Sequence, residues 1–222
     1  MAAFPFRIVG FDLDGTLLDT EADLGAAVNH ALGLAGRPPV AGNEVRGLIG
    51  GGGRVMLKRA LDRSGGIADA EFAALYEELL RFYSAHIAVH TRLYPGGAAM
   101  LDGLARRGVK LAVVTNKLES LAVQVLGELG LASRFYTIIG GDTLGQGRAK
   151  PAPDQLAEMV ARGGGGNAAF VGDTTYDTLA ARAAGLPCVA VSFGFNDRPA
   201  NDMGADAVVD HFDALIPALE AL

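Results

Sequence analysis

Four aspartates stand where apolar runs give out. The run Arg7–Phe11 (RIVGF) leads straight into Asp12-Leu13-Asp14-Gly15-Thr16. The run Ala168–Gly172 (AAFVG) leads into Asp173, with Asp177 one helical turn further on. Open α/β sheets bind ligands at the carboxyl ends of their strands. With the two runs as neighbouring strands, Asp12, Asp14, Asp173 and Asp177 converge on one edge. Two carboxylates about 4 Å apart repel by about 4 kcal/mol at an effective dielectric of about 20. Such a cluster needs a cation, a proton or both. Hard oxygen donors in this number suit Mg²⁺. For any single pair, a helix cap or a solvated loop is the plain alternative.

Two further run ends carry groups suited to an anion. Lys110–Val114 ends in Thr115-Asn116-Lys117. A hydroxyl and free backbone amides at a strand-to-helix turn make an anion site, and a simple N-cap by Thr115 or Asn116 accounts for the same residues. The third run leads through a glycine-rich loop to Lys150-Pro151-Ala152-Pro153. A compact ammonium held by prolines suits neutralising a phosphate and a carboxylate together; a solvated lysine before a helix is the alternative.

These residues need strands to aim them, and the chain supplies the pattern. Arg7–Phe11, Lys110–Val114, Tyr136–Gly140, Ala168–Gly172 and Cys188–Ser192 are short apolar runs without polar alternation, and Ala207–Val209 reads as a sixth. That is the signature of strands covered on both faces. Helical patterns at Gly97–Arg107, Ser120–Leu129, Pro153–Arg162 and Thr175–Ala184 lie between them. Alternation of this kind implies an α/β fold with a doubly wound parallel sheet, Rossmann-like in its core.

One stretch breaks the alternation. From Thr20 to about Leu93 only helical patterns appear, at Glu21–Leu34, Glu44–Ile49, Arg54–Arg63 and Asp69–Ala88. The expected organisation is a core of residues 1–19 and 94–222 with an all-helical cap at 20–93. Thr20–Asp23 and Leu93–Gly96 are its expected hinges, with Gly96-Gly97 the soft spot.

Composition excludes several classes. The chain has 222 residues, 50% of them hydrophobic, with 31 glycines and 9 prolines, too few for a low-complexity chain. A net charge of −6 without basic clusters, and the absence of tryptophan, argue against nucleic-acid binding. No apolar run reaches the roughly 20 residues of a membrane helix. The N-terminus does not read as a signal peptide. Cys188, alone in an apolar run, reads as a small buried hydrophobe, which fits a soluble cytoplasmic protein. His86 and His90 have zinc-compatible spacing but no acidic or cysteine partner nearby, and read as a solvated or half-buried pair.

Taken in order, Phe11-Asp12-Leu13-Asp14-Gly15-Thr16-Leu17-Leu18-Asp19, Val114-Thr115-Asn116, Lys150-Pro151 and Gly172-Asp173 with Asp177 resemble the four motifs of the haloacid dehalogenase-like hydrolase superfamily. The insertion resembles the helical cap of the subfamily that includes phosphoglycolate phosphatases, as do VTNK at 114–117, IGGDTL at 139–144, AARAAGLP at 180–187 and SFGFN at 192–196. The resemblance implies a Mg²⁺-dependent phosphatase of a small phosphorylated metabolite, most readily 2-phosphoglycolate. Asp12 would be the nucleophile and Asp14 the acid and base. Thr115, the amide of Asn116 and Lys150 would cradle the phosphoryl oxygens. Asp12, the Asp14 carbonyl and Asp173 would hold the metal, and Asp177 would orient its waters.

The presence of Asp14 disfavours the carbon–halogen and phosphonate-cleaving relatives. A sugar phosphate, a nucleotide monophosphate or pyrophosphate as substrate, or a phosphosugar mutase activity, remain alternatives. So does a non-catalytic phosphate acceptor, against which Asp14 argues. The glycines 50–53 with Arg54 can offer amides and a guanidinium to an anionic tail such as a carboxylate; a flexible helix connection is the plainer reading. A monomer or a homodimer fits the chain equally.

Overall fold

Paired strands align the tips that the sequence singles out. A computed structural model describes residues 4–222. Strands β1 (Ile8–Phe11), β4 (Lys110–Val114), β5 (Thr137–Ile139), β6 (Ala168–Gly172), β7 (Cys188–Val191) and β8 (Ala207–Val209) form one parallel sheet in the order β5-β4-β1-β6-β7-β8. β1 lies between β4 and β6, where the winding reverses. In the register, Phe11 is opposite Val113 on one side and Val171 on the other. The residues that follow these three therefore leave the sheet at the same edge.

The missing polar alternation has a direct cause. Val9, Phe11, Val113, Val171 and Val191 enter one buried cluster, while Ile8, Ala112, Val114, Phe170 and Cys188 enter another on the opposite face. Both faces are apolar because both are covered. Helices α5 (Gly97–Arg106) and α9 (Leu215–Glu220) supply Leu101, Leu104, Leu215 and Leu219 to the first cluster. Helices α7 (Asp154–Arg162) and α8 (Thr175–Ala183) supply Leu156, Met159, Ala180 and Ala181 to the second. Each large side chain buried this way contributes about 1.5–3 kcal/mol. Helix α6 (Glu119–Glu128) follows β4. Cys188 is buried, as its run implied.

Helices α1 (Glu21–Leu34), α2 (Gly42–Val45), α3 (Gly53–Asp62) and α4 (Asp69–Ala85) follow one another between the first and second strands of the large sheet, with α1 packed on α3 and α4. α2 is short and runs into a 3₁₀ turn at Arg46–Leu48. α4 stops at Ala85, short of the expected Ala88. His86 ends it: its N–H donates to Tyr83 O at 3.0 Å, and its Nδ1 sits 2.8 Å from Phe82 O, the carbonyl a continuing helix would bond to that N–H. His86 also stacks on Phe82, and both His86 and His90 are exposed, with no zinc grouping there among the described residues.

Two features differ from the sequence-based expectation. β2 (Leu18–Asp19) and β3 (Arg92–Leu93) pair antiparallel, joining the two ends of the helical segment. A two-residue strand has no periodicity to read. α9 forms although Pro217 lies within it; the ring falls in the first turn, where no intrahelical N–H bond is lost. No helix among the described residues is long and apolar enough to cross a membrane.

Candidate active site

Asp12 is the first residue beyond β1, and its N–H still donates to Val171 O at 2.9 Å. That bond fixes it between β1 and β6. Its carboxylate is buried, with Oδ1 3.0 Å from Lys150 Nζ but without a properly directed hydrogen bond. Asp12, Asp173 and Asp177 each present an oxygen within 4.8 Å of the others. Desolvation pushes the Asp12 carboxyl up to about 6, with Lys150 opposing and Asp177 adding to the rise. Burial, then Asp177 and Asp12, push Asp173 well above the usual carboxylate range.

Asp173 is fully buried and held from both sides. Thr16 Oγ1 donates to its Oδ1 at 2.7 Å and the Phe195 N–H to its Oδ2 at 2.7 Å. Asn196 Nδ2 donates to its carbonyl at 2.7 Å. Each carboxylate oxygen keeps a lone pair free. The chain comes this close only because Gly15 lies at φ +88°; a Cβ there would stand 2.2 Å from Asp173 Oδ2.

Asp177 has other work. Its Oδ2 accepts from Asp173 N at 3.1 Å, Thr174 N at 2.9 Å and Thr174 Oγ1 at 2.8 Å, closing the start of α8 as a capping box. Its Oδ1 accepts from Lys150 Nζ at 2.6 Å. Lys150 is also bonded to Val114 O at 2.9 Å, and burial, which alone would lower its pKa, is outweighed by Asp12 and Asp177, pushing it up to about 12. Its backbone is clamped: Lys150 N donates to Gln155 Oε1 at 3.0 Å and Lys150 O accepts from Asn116 Nδ2 at 3.0 Å.

Thr115 is buried at the tip of β4, its N–H on Ile139 O at 2.9 Å and its hydroxyl accepting from Lys117 N at 3.2 Å. Asn116 Nδ2 also reaches Gly50 O at 3.1 Å, which ties the helical segment to the sheet edge. At this contact Gly52 has φ +85°, and a Cβ on it would stand 2.7 Å from Asn116 O. Gly50, Gly52 and Gly53 do line the cavity above Asp12 and Asp14.

Arg54 requires a correction. It is exposed, its guanidinium lies 4.9 Å over the Phe72 ring and 5.7 Å over the Tyr76 ring, and it does not line that cavity. The turn of α3 after Gly53 aims it at aromatic side chains of α4 instead. Sequence reasoning gave Lys117 no separate role, yet its Nζ holds both oxygens of Asp14, at 2.9 and 2.8 Å. The same ammonium lies 4.6 Å over the Tyr83 ring. Burial alone would lower its pKa; Asp14 and then Tyr83 hold it above the ordinary range. Burial pushes the Tyr83 hydroxyl up to about 12 despite Lys117, so it is a neutral donor.

The donor set fits a divalent cation. With all four ionised, Asp12, Asp14, Asp173 and Asp177 would carry two negative charges more than Lys117 and Lys150, the cations paired with them among the described residues, neutralise. Buried charge without compensation is strongly unfavourable. Asp12 Oδ1, without a directed hydrogen bond, and the free lone pairs of Asp173 lie where that charge would gather.

The family model for haloacid dehalogenase-like hydrolases matches residues 9–191. A phosphoglycolate phosphatase of Agrobacterium fabrum is 42% identical over 94% of this chain and 90% of its own length. Phosphoglycolate phosphatase 1 of Pseudomonas aeruginosa is 40% identical over 99% of this chain and 84% of its own. A crystal structure described as a predicted phosphoglycolate phosphatase, from Haemophilus somnus, superposes with a TM-score of 0.90 at 30% identity, covering 96% of this chain and 98% of that one. The chain belongs to the haloacid dehalogenase-like hydrolases and is a phosphoric monoester hydrolase of that family.

Proposed function

We propose that the protein is a Mg²⁺-dependent phosphatase of 2-phosphoglycolate or a closely similar small phosphomonoester, working through an aspartyl phosphate on Asp12. The observation that carries this is the buried carboxylate of Asp12, its Oδ1 beside Lys150 but without a directed hydrogen bond, inside the cluster with Asp173 and Asp177. The names of the relatives support the substrate.

Asp12, the carbonyl of Asp14 and Asp173 would hold the ion, with Asp177 behind them. When bound, the ion neutralises the carboxylates and the phosphoryl oxygens. An Asp12 oxygen forms a bond to phosphorus as the ester P–O bond breaks. Asp14, protonated for this step, gives its proton to the leaving oxygen. Its carboxylate then takes a proton from water, the water oxygen bonds to phosphorus, and the Asp12–phosphorus bond breaks. Thr115, the amide of Asn116 and Lys150 steady the phosphoryl oxygens. Lys150 is fixed in place by Asp177, Gln155 and Asn116.

Residues 20–93 act in this reading as a cap that closes over the sheet edge, turning on the segments around β2 and β3. The Asn116–Gly50 hydrogen bond supports that reading as a contact of the closed form. The test is phosphate release from a panel of small esters, with Mg²⁺ and with a chelator, without any sugar acceptor. Metal-dependent release led by 2-phosphoglycolate is expected. Release unaffected by chelation, or release only with an acceptor, overturns it.

A further inference from the structure

We propose that Lys117 and Tyr83 form a carboxylate-binding subsite that selects phosphate esters whose leaving group carries a second negative charge. The proposal deepens the phosphatase reading and rests on it. The cavity over Asp12 and Asp14 is otherwise walled by apolar side chains such as Met56, Leu79 and Leu80. Among the described residues lining it, Lys117 is the one cation; Lys150 lies behind Asp12 and Arg54 points elsewhere.

Lys117 has a single carboxylate partner, Asp14, and its side chain is only 5% exposed. An ammonium has three N–H donors, and the two oxygens of Asp14 take two of those of Lys117. A carboxylate one carbon from the ester oxygen would fall beside the group that protonates that oxygen, within reach of the third.

Tyr83 is the independent observation. It lines the same cavity, is 1% exposed, and its hydroxyl has no hydrogen-bond partner among the described residues. Buried hydroxyls are normally bonded. With the Lys117 ammonium over its ring, the two donors are adjacent. One belongs to α4 and the other to the loop after β4, so an anion shared between them ties the helical segment to the sheet edge. A neutral leaving group offers no anion to that third N–H or to the Tyr83 hydroxyl, and a site built to bond a substrate group discriminates strongly against an analogue that lacks it.

The test compares 2-phosphoglycolate with 2-hydroxyethyl phosphate, which replaces the carboxylate by a neutral CH₂OH. kcat and KM are measured for wild type, Lys117→Gln and Tyr83→Phe, and glycolate binding is followed by calorimetry. Wild type is expected to prefer the carboxylate ester by about 100-fold or more in kcat/KM. Tyr83→Phe should shrink that preference by roughly 10-fold, mainly through KM, and Lys117→Gln should shrink it further while weakening glycolate binding. A preference retained in both variants, with kcat falling equally for the two esters, makes Lys117 a positioning residue for Asp14 alone and overturns the subsite. So does a wild type that hydrolyses both esters equally well. If Lys117→Gln does not fold, Tyr83→Phe, which keeps the ring, decides the matter. A wild type that hydrolyses no monoester sinks the phosphatase reading itself; glycolate binding weakened by Tyr83→Phe then still supports the subsite, and unweakened binding overturns it.

Discussion

Asp12 and Asp14 stand two residues apart and live in different electrostatic settings. Asp12 faces the acidic cluster with Lys150 beside it, and Asp14 is turned away onto Lys117. That separation suits a nucleophile and a proton carrier. Asp12→Asn should lower kcat by about 10³-fold or more while the protein stays folded, read by phosphate release and circular dichroism. Asp14→Asn should cost about 10²–10⁴-fold in kcat, because a general acid and base is lost. Normal turnover in either variant would contradict the assigned roles. The aspartates were legible in the sequence because each sits at the end of an apolar run. The Lys117–Asp14 pair was not, since its partners lie 103 residues apart and only the fold brings them together. Arg54 was misread for a related reason: its place in the chain is plain, but its direction depends on how α3 is turned against α4.

At the scale of elements, the sheet delivers the site and small fastenings hold it. The six strands were readable because parallel strands buried on both faces leave uninterrupted apolar runs. The β2–β3 pair was not, being two residues long on each side. Beside it Asp23, buried at the start of α1, accepts from the His90 and Thr91 amides at 3.0 and 2.8 Å and from Thr91 Oγ1 at 2.8 Å. Asp23→Ala would leave those donors unsatisfied, at about 1–3 kcal/mol. A lower unfolding midpoint is expected in a thermal melt; an unchanged one would show the fastening to be dispensable. Asp177→Ala, which removes the acceptor shared by Asp173 N, Thr174 N and Thr174 Oγ1 at the start of α8, should destabilise by about 1–3 kcal/mol. An unaltered denaturation midpoint would contradict this. Gly52→Ala, at φ +85° against Asn116 O, should push the loop from the sheet edge and raise KM.

For the whole molecule, the balance of charge is decisive. With its four aspartates ionised, the buried edge would carry two negative charges more than its lysines neutralise. An ion bound only by the folded chain stabilises it by about 2.7 kcal/mol at one hundred times its dissociation constant. Mg²⁺ should therefore raise the melting temperature of wild type, and Asp173→Asn should remove most of that rise. A cross-link holding the segments at 20–23 and 93–96 together should slow turnover; full activity in the locked protein would contradict a moving cap. The most direct test of the central claim is an acid quench of the wild type during turnover of 2-phosphoglycolate with Mg²⁺, followed by mass mapping of the peptides. One phosphoryl group on Asp12, absent when metal is chelated, is the predicted result; phosphate formed in the quench with Asp12 unmodified, or the group found on another residue, would contradict it.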